Sequence, residues 1–286
     1  MRLAERTGGA VINADSAQVY GDLPILSAAP GEDDRGRAEH LLYGYLDGAR
    51  PNSAADWADA AKTEISRLHD QARLPILAGG TGLYLRTLLD GIAPIPAIDP
   101  EIRAEVRSAG VAENLAALAP LDPVAAATLN PGDTTRIARA LEVVWSTGKS
   151  LSEWQAQREG GIGGQIDLQA LILLPPRGWL YERCDRRFAQ MVEQGALDEV
   201  RALLERKLDP QFPVMRAIGV SELSAHIRGE LTLDQAVEAG QQATRNYAKR
   251  QYTWFAHQPP PDWPRFRDPL DDETVNRALA LFSATE

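Results

Sequence analysis

"LPILAGGTGLYLRTLL", residues 74–89, decides the fold. Leu74 to Ala78 is a short apolar run of the kind that makes a buried strand. Gly79, Gly80 and Gly82 then make a tight turn, and Leu83 to Leu89 starts a helix. Upstream, Ala54, Trp57, Ala58, Ala61, Ile65 and Leu68 fall at spacings of three and four, which predicts an amphipathic helix within 53–73. Before it, "AVINA" (10–14) reads as a second buried strand, with Asp15 at its carboxyl end. Strand, helix, strand, glycine turn, helix is the order of a βαβ unit in a parallel sheet, so the fold class is α/β. Ligands of such sheets bind beyond the carboxyl ends of the strands, and Asp15 and Thr81 both fall at that edge.

Further along, prolines 94, 96 and 100 in "DGIAPIPAIDPE" mark a boundary. The chain then reads as helices only, clearest in "SAGVAENLAALAPLDPVAAATL" (108–129) and "TTRIARALEVVWSTGKSLSEWQAQ" (134–157). "REGGIGGQ" (158–165) reads as a flexible joint, and "LQALILL" (168–174) as a third buried strand. The expected organisation is a core of residues 1–96 and 165–286 with a helical insertion of residues 97–164. Helices are expected over 178–191, 196–206, 221–228 and 232–256. The last thirty residues are proline-rich, then weakly helical.

The composition excludes several classes. Of 286 residues, 44% are hydrophobic and 24% charged, which is ordinary for a soluble globular protein. No apolar run approaches the roughly 20 residues of a membrane span, and "MRLAERTGG" lacks the apolar core of a signal peptide. The reading is cytoplasmic. The single Cys184 excludes an internal disulfide and a cysteine-based zinc site. His40, His69, His226 and His257 show no metal-ligand spacing. A net charge of −10 argues against nonspecific nucleic-acid binding, so the placement of the 30 Lys and Arg matters more than their sum.

Several stretches carry chemistry. "ADSAQVY" (14–20) sets a carboxylate, a hydroxyl and an amide just past a strand, either a general base or a cap on the next helix. "GGTGLY" (79–84) suits an anion, because glycines let N–H groups converge at a helix start; it equally suits a plain turn capped by Thr81. Arg136 and Arg139 share a helix face, as do Arg183 and Arg186 or Arg187, and Arg245 and Lys249. With Arg250, Tyr247, Tyr252 and Trp254 interleaved, such stripes hold phosphates and stack bases, or are solvated faces whose aromatics point into the core. Arg216, alone in the apolar "VMRAIGVSEL", reads as a clamp for an anion.

In this order, "INADSAQVY", "EHLLYG", "LPILAGGTGLYLRTLLDG", "NPGDTTRIARALEV", "STGKSLSEWQ", "RCDRRFAQMVEQGALDEV", "MRAIGVSEL" and "TRNYAKRQYTWF" resemble the tRNA dimethylallyltransferase (isopentenyl-tRNA transferase) family of the bacterial type. The resemblance implies a core related to P-loop nucleotide kinases, with Mg2+ as cofactor and no ATP consumed. It implies transfer of a dimethylallyl group from dimethylallyl diphosphate to N6 of the adenosine at tRNA position 37, 3′ of the anticodon, by a monomer. Asp15 would then be the base, with Thr81 and Arg216 on the diphosphate. Asp15, Ser16, Ala17 and Gln18 would meet the flipped-out adenosine. Arg103 with Thr135, Arg136, Ile137, Ala138 and Arg139 would hold the anticodon stem-loop, and Arg245, Lys249 and Arg250 would add phosphate contacts.

The sequence departs from that pattern at Ala29 before Pro30, where a basic residue is usual, at Thr135, where glutamine is usual, and at Val220-Ser221. It also holds no G-x-x-x-x-G-K-[ST] loop. The family's first strand and P-loop would precede Met1, and the expectation is a start codon placed too far downstream. Without that strand, both of its neighbours should keep unpaired backbone groups. The alternatives are a catalytically impaired tRNA-binding remnant and a small-molecule phosphotransferase.

Overall fold

The computed structural model describes residues 1–282. Helix α1 (Arg2–Thr7) leads into strand β1 (Ala10–Asn13), all four residues of which are buried. Helix α2 (Glu32–Arg37) precedes strand β2 (Glu39–Leu41), and helix α3 (Ala54–Asp70) crosses to strand β3 (Pro75–Ala78). The three strands form a parallel sheet in the order β2-β1-β3, with Ile12 opposite Leu41 on one side and Leu77 on the other. The sequence reading missed β2, because the mixed "EHL" shows neither alternation nor an apolar run. Helix α3 starts at a capping box between Ser53 and Asp56. It buries Trp57, Ala58, Ala61, Ile65 and Leu68, the stripe its spacing predicts. Helix α4 (Gly82–Asp90) follows the glycine turn.

Contacts divide the chain into two compact units, Met1–Leu88 with Asp167–Glu286, and Leu89–Ile166. The second unit is helical: α5 (Pro100–Ser108), α6 (Val111–Leu118), α7 (Pro123–Thr128), α8 (Thr134–Thr147) and α9 (Leu151–Gln155). Its core gathers Val106, Leu118, Ala138, Leu141 and Val144. Asp99, Asp122 and Asp133 cap α5, α7 and α8, each contributing about 1 kcal/mol. The "REGGIGGQ" stretch is not the flexible joint its composition suggests. Gly161 lies against residues 89–91 so closely that a Cβ would stand 2.4 Å from the Leu89 carbonyl oxygen. Ile92 and Glu159 exchange backbone hydrogen bonds beside it. Glycine here serves close approach of two backbones rather than mobility.

The first unit continues with strand β4 (Ile172–Leu173), helices α10 (Arg177–Glu193), α11 (Ala196–Glu205), α12 (Val220–Ile227) and α13 (Leu233–His257), strand β5 (Arg265–Phe266) and helix α14 (Val275–Ala280). Strand β4 is far shorter than the 168–174 expected, because among the described residues it pairs only with β5, over two residues. Strand β3 likewise pairs only with β1. Alternation of the ladder bonds, Ala10 and Ala14 to the carbonyls of Leu74 and Ala78, turns the Leu77 backbone outward. The bonds of Ile172 and Leu174 to Pro264 and Phe266 do the same for Leu173. Both unpaired edges, at Leu77 and Leu173, line one cavity of about 1440 Å³. Among the described residues no helix is long and apolar enough to cross a membrane.

Candidate active site

The site begins where β1 ends. Asn13 is fully buried and folds the chain back on itself. Its Oδ1 accepts the Asp15 N–H at 2.8 Å, while its Nδ2 donates to the carbonyls of Asp15 and Leu42, both at 3.0 Å. The Trp57 indole donates to the Asn13 carbonyl at 2.8 Å. Asp15 is therefore held at its backbone before its side chain does anything. Its Oδ1 accepts the Ala17 N–H at 2.8 Å, closing a tight turn; no helix follows for it to cap. Burial raises the Asp15 pKa above the ordinary aspartate value, against the lowering pull of the Ala17 and Gln18 amides and the Arg187 charge. The carboxylate is thus a stronger base than one in water. Burial and then the Asp15 charge push the neighbouring Tyr43 hydroxyl up to about 12, so it stays protonated.

The 79–82 turn packs directly on that strand end. The Thr81 N–H donates to the Ala14 carbonyl at 3.1 Å. A Cβ on Gly79 would stand 2.3 Å from the Ala14 carbonyl carbon, so only glycine fits. The Thr81 hydroxyl accepts the Ser16 N–H at 3.0 Å and reaches the Ser16 hydroxyl at 3.3 Å. It is turned to Ser16 rather than into the cavity. Helix α13 covers the turn from behind: Gln251 Nε2 donates to the Gly80 carbonyl at 3.0 Å, and Trp254 lies over Gly82. Burial first, then the Asp15 charge, raise the Tyr247 hydroxyl pKa. The aromatics of the α13 stripe are thus half-buried, and Tyr252 stacks under Arg177 at 4.8 Å.

Asp15, Ser16, Ala17, Gln18, Gly79, Gly80 and Tyr247 all line the 1440 Å³ cavity. So do Arg183, Arg186, Arg187 and Arg216, none of which has an ion-pair partner among the described residues. Arg216 ends a short 3-10 turn, Pro213–Arg216, and is exposed. Arg187 is exposed, yet enough protein surrounds it that lost hydration lowers its pKa. An acidic chain thus gathers four cations at one cavity, which suits a polyanion. The loop after Asp15 is fixed from α11. Glu199 accepts the N–H groups of Ile25 and Leu26 at 2.7 and 2.9 Å, and Arg206 grips Asp22 and Asp47. That loop in turn holds Gln18, whose Nε2 donates to the Ser27 and Ala28 carbonyls at 3.0 and 2.8 Å. No cluster of His, Cys, Asp and Glu among the described residues could itself hold a metal.

Other residues singled out by sequence lie elsewhere. Arg245 pairs with Asp185 and is not free for a phosphate; Lys249 and Arg250 are exposed, Arg250 over the Tyr247 ring at 5.5 Å. In the helical unit Arg103, Thr135 and Arg136 are exposed, while the side chains of Ile137 and Ala138 are buried and do not reach the surface. Arg139 lies partly exposed between them and the surface. Sequence reasoning misses Asn13, Gln251 and Glu199 as site-building residues, and names Tyr247 only among the aromatics interleaved in the α13 stripe. Only the asparagine left a sign, as a polar residue inside an otherwise apolar strand.

The model of the IPP transferase family matches residues 18–258. The tRNA dimethylallyltransferase of Sphingopyxis alaskensis is 56% identical over 281 residues, covering 98% of this chain and 92% of its own length. That of Erythrobacter litoralis is 60% identical over 255 residues, 89% of this chain and 80% of the relative. The full-length tRNA isopentenylpyrophosphate transferase of Bacillus halodurans superposes with a TM-score of 0.69 at 31% identity, over 99% of this chain and 88% of that one. A eukaryotic dimethylallyltransferase acting on tRNA superposes with a TM-score of 0.74 at 28% identity, over 88% of this chain and 65% of that one.

Proposed function

Because this chain belongs to the IPP transferase family, we propose that it transfers a dimethylallyl group from dimethylallyl diphosphate to N6 of the tRNA adenosine at position 37, 3′ of the anticodon. The observation that carries the reading is Asp15, its pKa raised, at a cavity that also presents four arginines without ion-pair partners among the described residues. The lone pair of N6 is delocalised into the adenine ring, so N6 is a weak nucleophile until its proton leaves. As N6 bonds to C1 of the dimethylallyl group, the C1–O bond breaks and its electron pair departs with diphosphate. Asp15 takes the N6 proton in the same step. Arg216, with Arg183, Arg186 and Arg187, faces the growing charge of the leaving group, and the N–H groups of Gly79 and Gly80 add to it. Thr81 acts through Ser16, fixing the turn that carries Asp15.

The site suits a Mg2+ held largely by substrate phosphates: the Ser16 hydroxyl lines the cavity beside Asp15, and no cluster among the described residues forms a protein-only cage. When bound, Mg2+ would neutralise charge on the diphosphate. The adenosine must leave the base stack to reach Asp15, with Ser16, Ala17 and Gln18 beside it. The helical insertion, with Arg103, Thr135, Arg136 and Arg139 outward, is assigned to the anticodon stem-loop, and Lys249 and Arg250 to further phosphates. The proposed working unit is a cytoplasmic monomer. Single-turnover transfer measured against pH tests the base. The rate should fall as pH drops through a pKa above the ordinary aspartate range, and Asp15→Asn should remove that inflection. An inflection that survives in Asp15→Asn assigns the base elsewhere.

A further inference from the structure

The buried run of α8, Ile137 to Val144, is apolar but for two positions, Arg139 and Glu142. The Glu142 side chain is 1% exposed. Stability does not account for a carboxylate there. A buried ion pair stabilises no more, on average, than an apolar side chain of the same volume. Its neighbours supply another reason. Oε1 accepts the Nε of Arg107 at 2.5 Å. Oε2 has no hydrogen-bond partner among the described residues, and Arg139 Nη1 stands 3.8 Å from it. Arg107 and Arg139 remain 53% and 38% exposed at their side chains. Arg103 lies one turn before Arg107 on the same face of α5, exposed and without an ion pair among the described residues. Lost hydration lowers the Arg139 pKa; the Glu142 charge opposes this, and Arg103 and Arg107 add to it. Two guanidinium groups thus flank one buried carboxylate, a third, Arg103, lies close enough for its charge to act on Arg139, and the surplus is positive.

We propose that Arg107 joins Arg103 and Arg139 as a clamp for an RNA backbone phosphate, with Glu142 as the positioning residue that sets the clamp's geometry. Binding Arg107 through Nε leaves its two terminal nitrogens pointing away as a fork, the arrangement that meets a phosphate through two parallel hydrogen bonds. Anchoring at one end also removes rotamer freedom before RNA arrives. The carboxylate further offsets repulsion among three cations that would otherwise spread apart. The proposal rests on the tRNA reading above and adds two residues to it.

The test is binding of a fluorescent anticodon stem-loop RNA at several KCl concentrations, with thermal unfolding measured alongside. Arg107→Gln should reduce the slope of log K against log salt by about one. Glu142→Gln should reduce it by a similar amount although every arginine remains, a result that a purely structural role would not give. A Glu142→Gln protein that binds as tightly as wild type, or more tightly, with the full slope overturns the positioning role. If that variant does not fold, Arg107→Gln decides alone, since Arg107 is at the surface; an unchanged slope overturns the clamp. Wild-type protein that binds no stem-loop overturns the tRNA reading itself, and is told apart from failure of the clamp by the absence of any salt slope to compare.

Discussion

Two regions of this molecule present positive groups to an anion, and they are built in opposite ways. In the α/β unit, the turn at 79–82 and the strand end at 13–18 are locked by backbone contacts: Gly79 on Ala14, Asn13 on Asp15, Thr81 on Ser16. Little there can move by an ångström without collision. In the helical unit, Arg103 and Arg136 stand on long side chains at the surface, Arg136 76% exposed at its side chain, while Arg107 and Arg139 lean on Glu142. The first region suits chemistry, which needs groups held in place. The second suits a flexible polyanion, which needs charge. Substitutions in the first should therefore change rate or stability, and those in the second should change salt dependence.

The largest effect is expected at Asp15. Asp15→Asn should cut single-turnover transfer by roughly 10²–10⁴-fold while tRNA remains bound. It should not lower thermal stability. An aspartate whose folded pKa is raised binds its proton more tightly folded than unfolded, so its contribution to stability declines as pH rises between the unfolded and folded values. At neutral pH the buried charge is a cost that asparagine removes. A variant that melts well below wild type would make Asp15 a structural residue and break the contrast between the two regions.

Arg216→Ala comes next. Losing one cation at the leaving group should reduce turnover by roughly 10²–10³-fold, with tRNA binding unchanged in a filter assay. Equal loss of tRNA affinity would move Arg216 from the diphosphate to the RNA. Asn13→Ala probes the locked corner itself. It leaves the Asp15 amide and the Leu42 carbonyl without partners and should cost roughly 1–3 kcal/mol in urea unfolding. A loss well below that would show that the corner is not rigid. The smallest effect is expected at Arg136→Ala, which should lower the salt slope of tRNA binding by about one and leave turnover at saturating tRNA alone. An unaltered slope makes that face ordinary solvated surface.

Most of the framework was legible because it depends on periodicity and on glycine. The α3 stripe and the "LAGGTG" turn show in the sequence as they stand in the structure. The strand over 168–174 was overstated because apolar runs report burial, whereas strand length depends on a pairing partner, and β4 has one on a single side. The glycines of "REGGIGGQ" read as freedom, since composition does not distinguish a loose backbone from two backbones in contact. Asp15 was visible by its place after a strand. Of the groups that set its behaviour, Arg187 was legible in a basic stripe, while Asn13 left only the sign of a polar residue in an apolar strand. Tyr247 and Gln251 lie far along the chain inside a helix that reads as a basic stripe, and only tertiary contact turns them toward Thr81 and Gly80. Ile137 and Ala138 sit between two arginines in sequence but on the opposite side of α8, a consequence of helical pitch.

The most direct measurement is a reaction of the protein with isotope-labelled dimethylallyl diphosphate, Mg2+ and a tRNA carrying adenosine 3′ of its anticodon, followed by digestion to nucleosides and mass spectrometry. The account predicts the label on N6-(dimethylallyl)adenosine from that one position. A tRNA that stays bound but unlabelled, or a label that appears elsewhere, would contradict it.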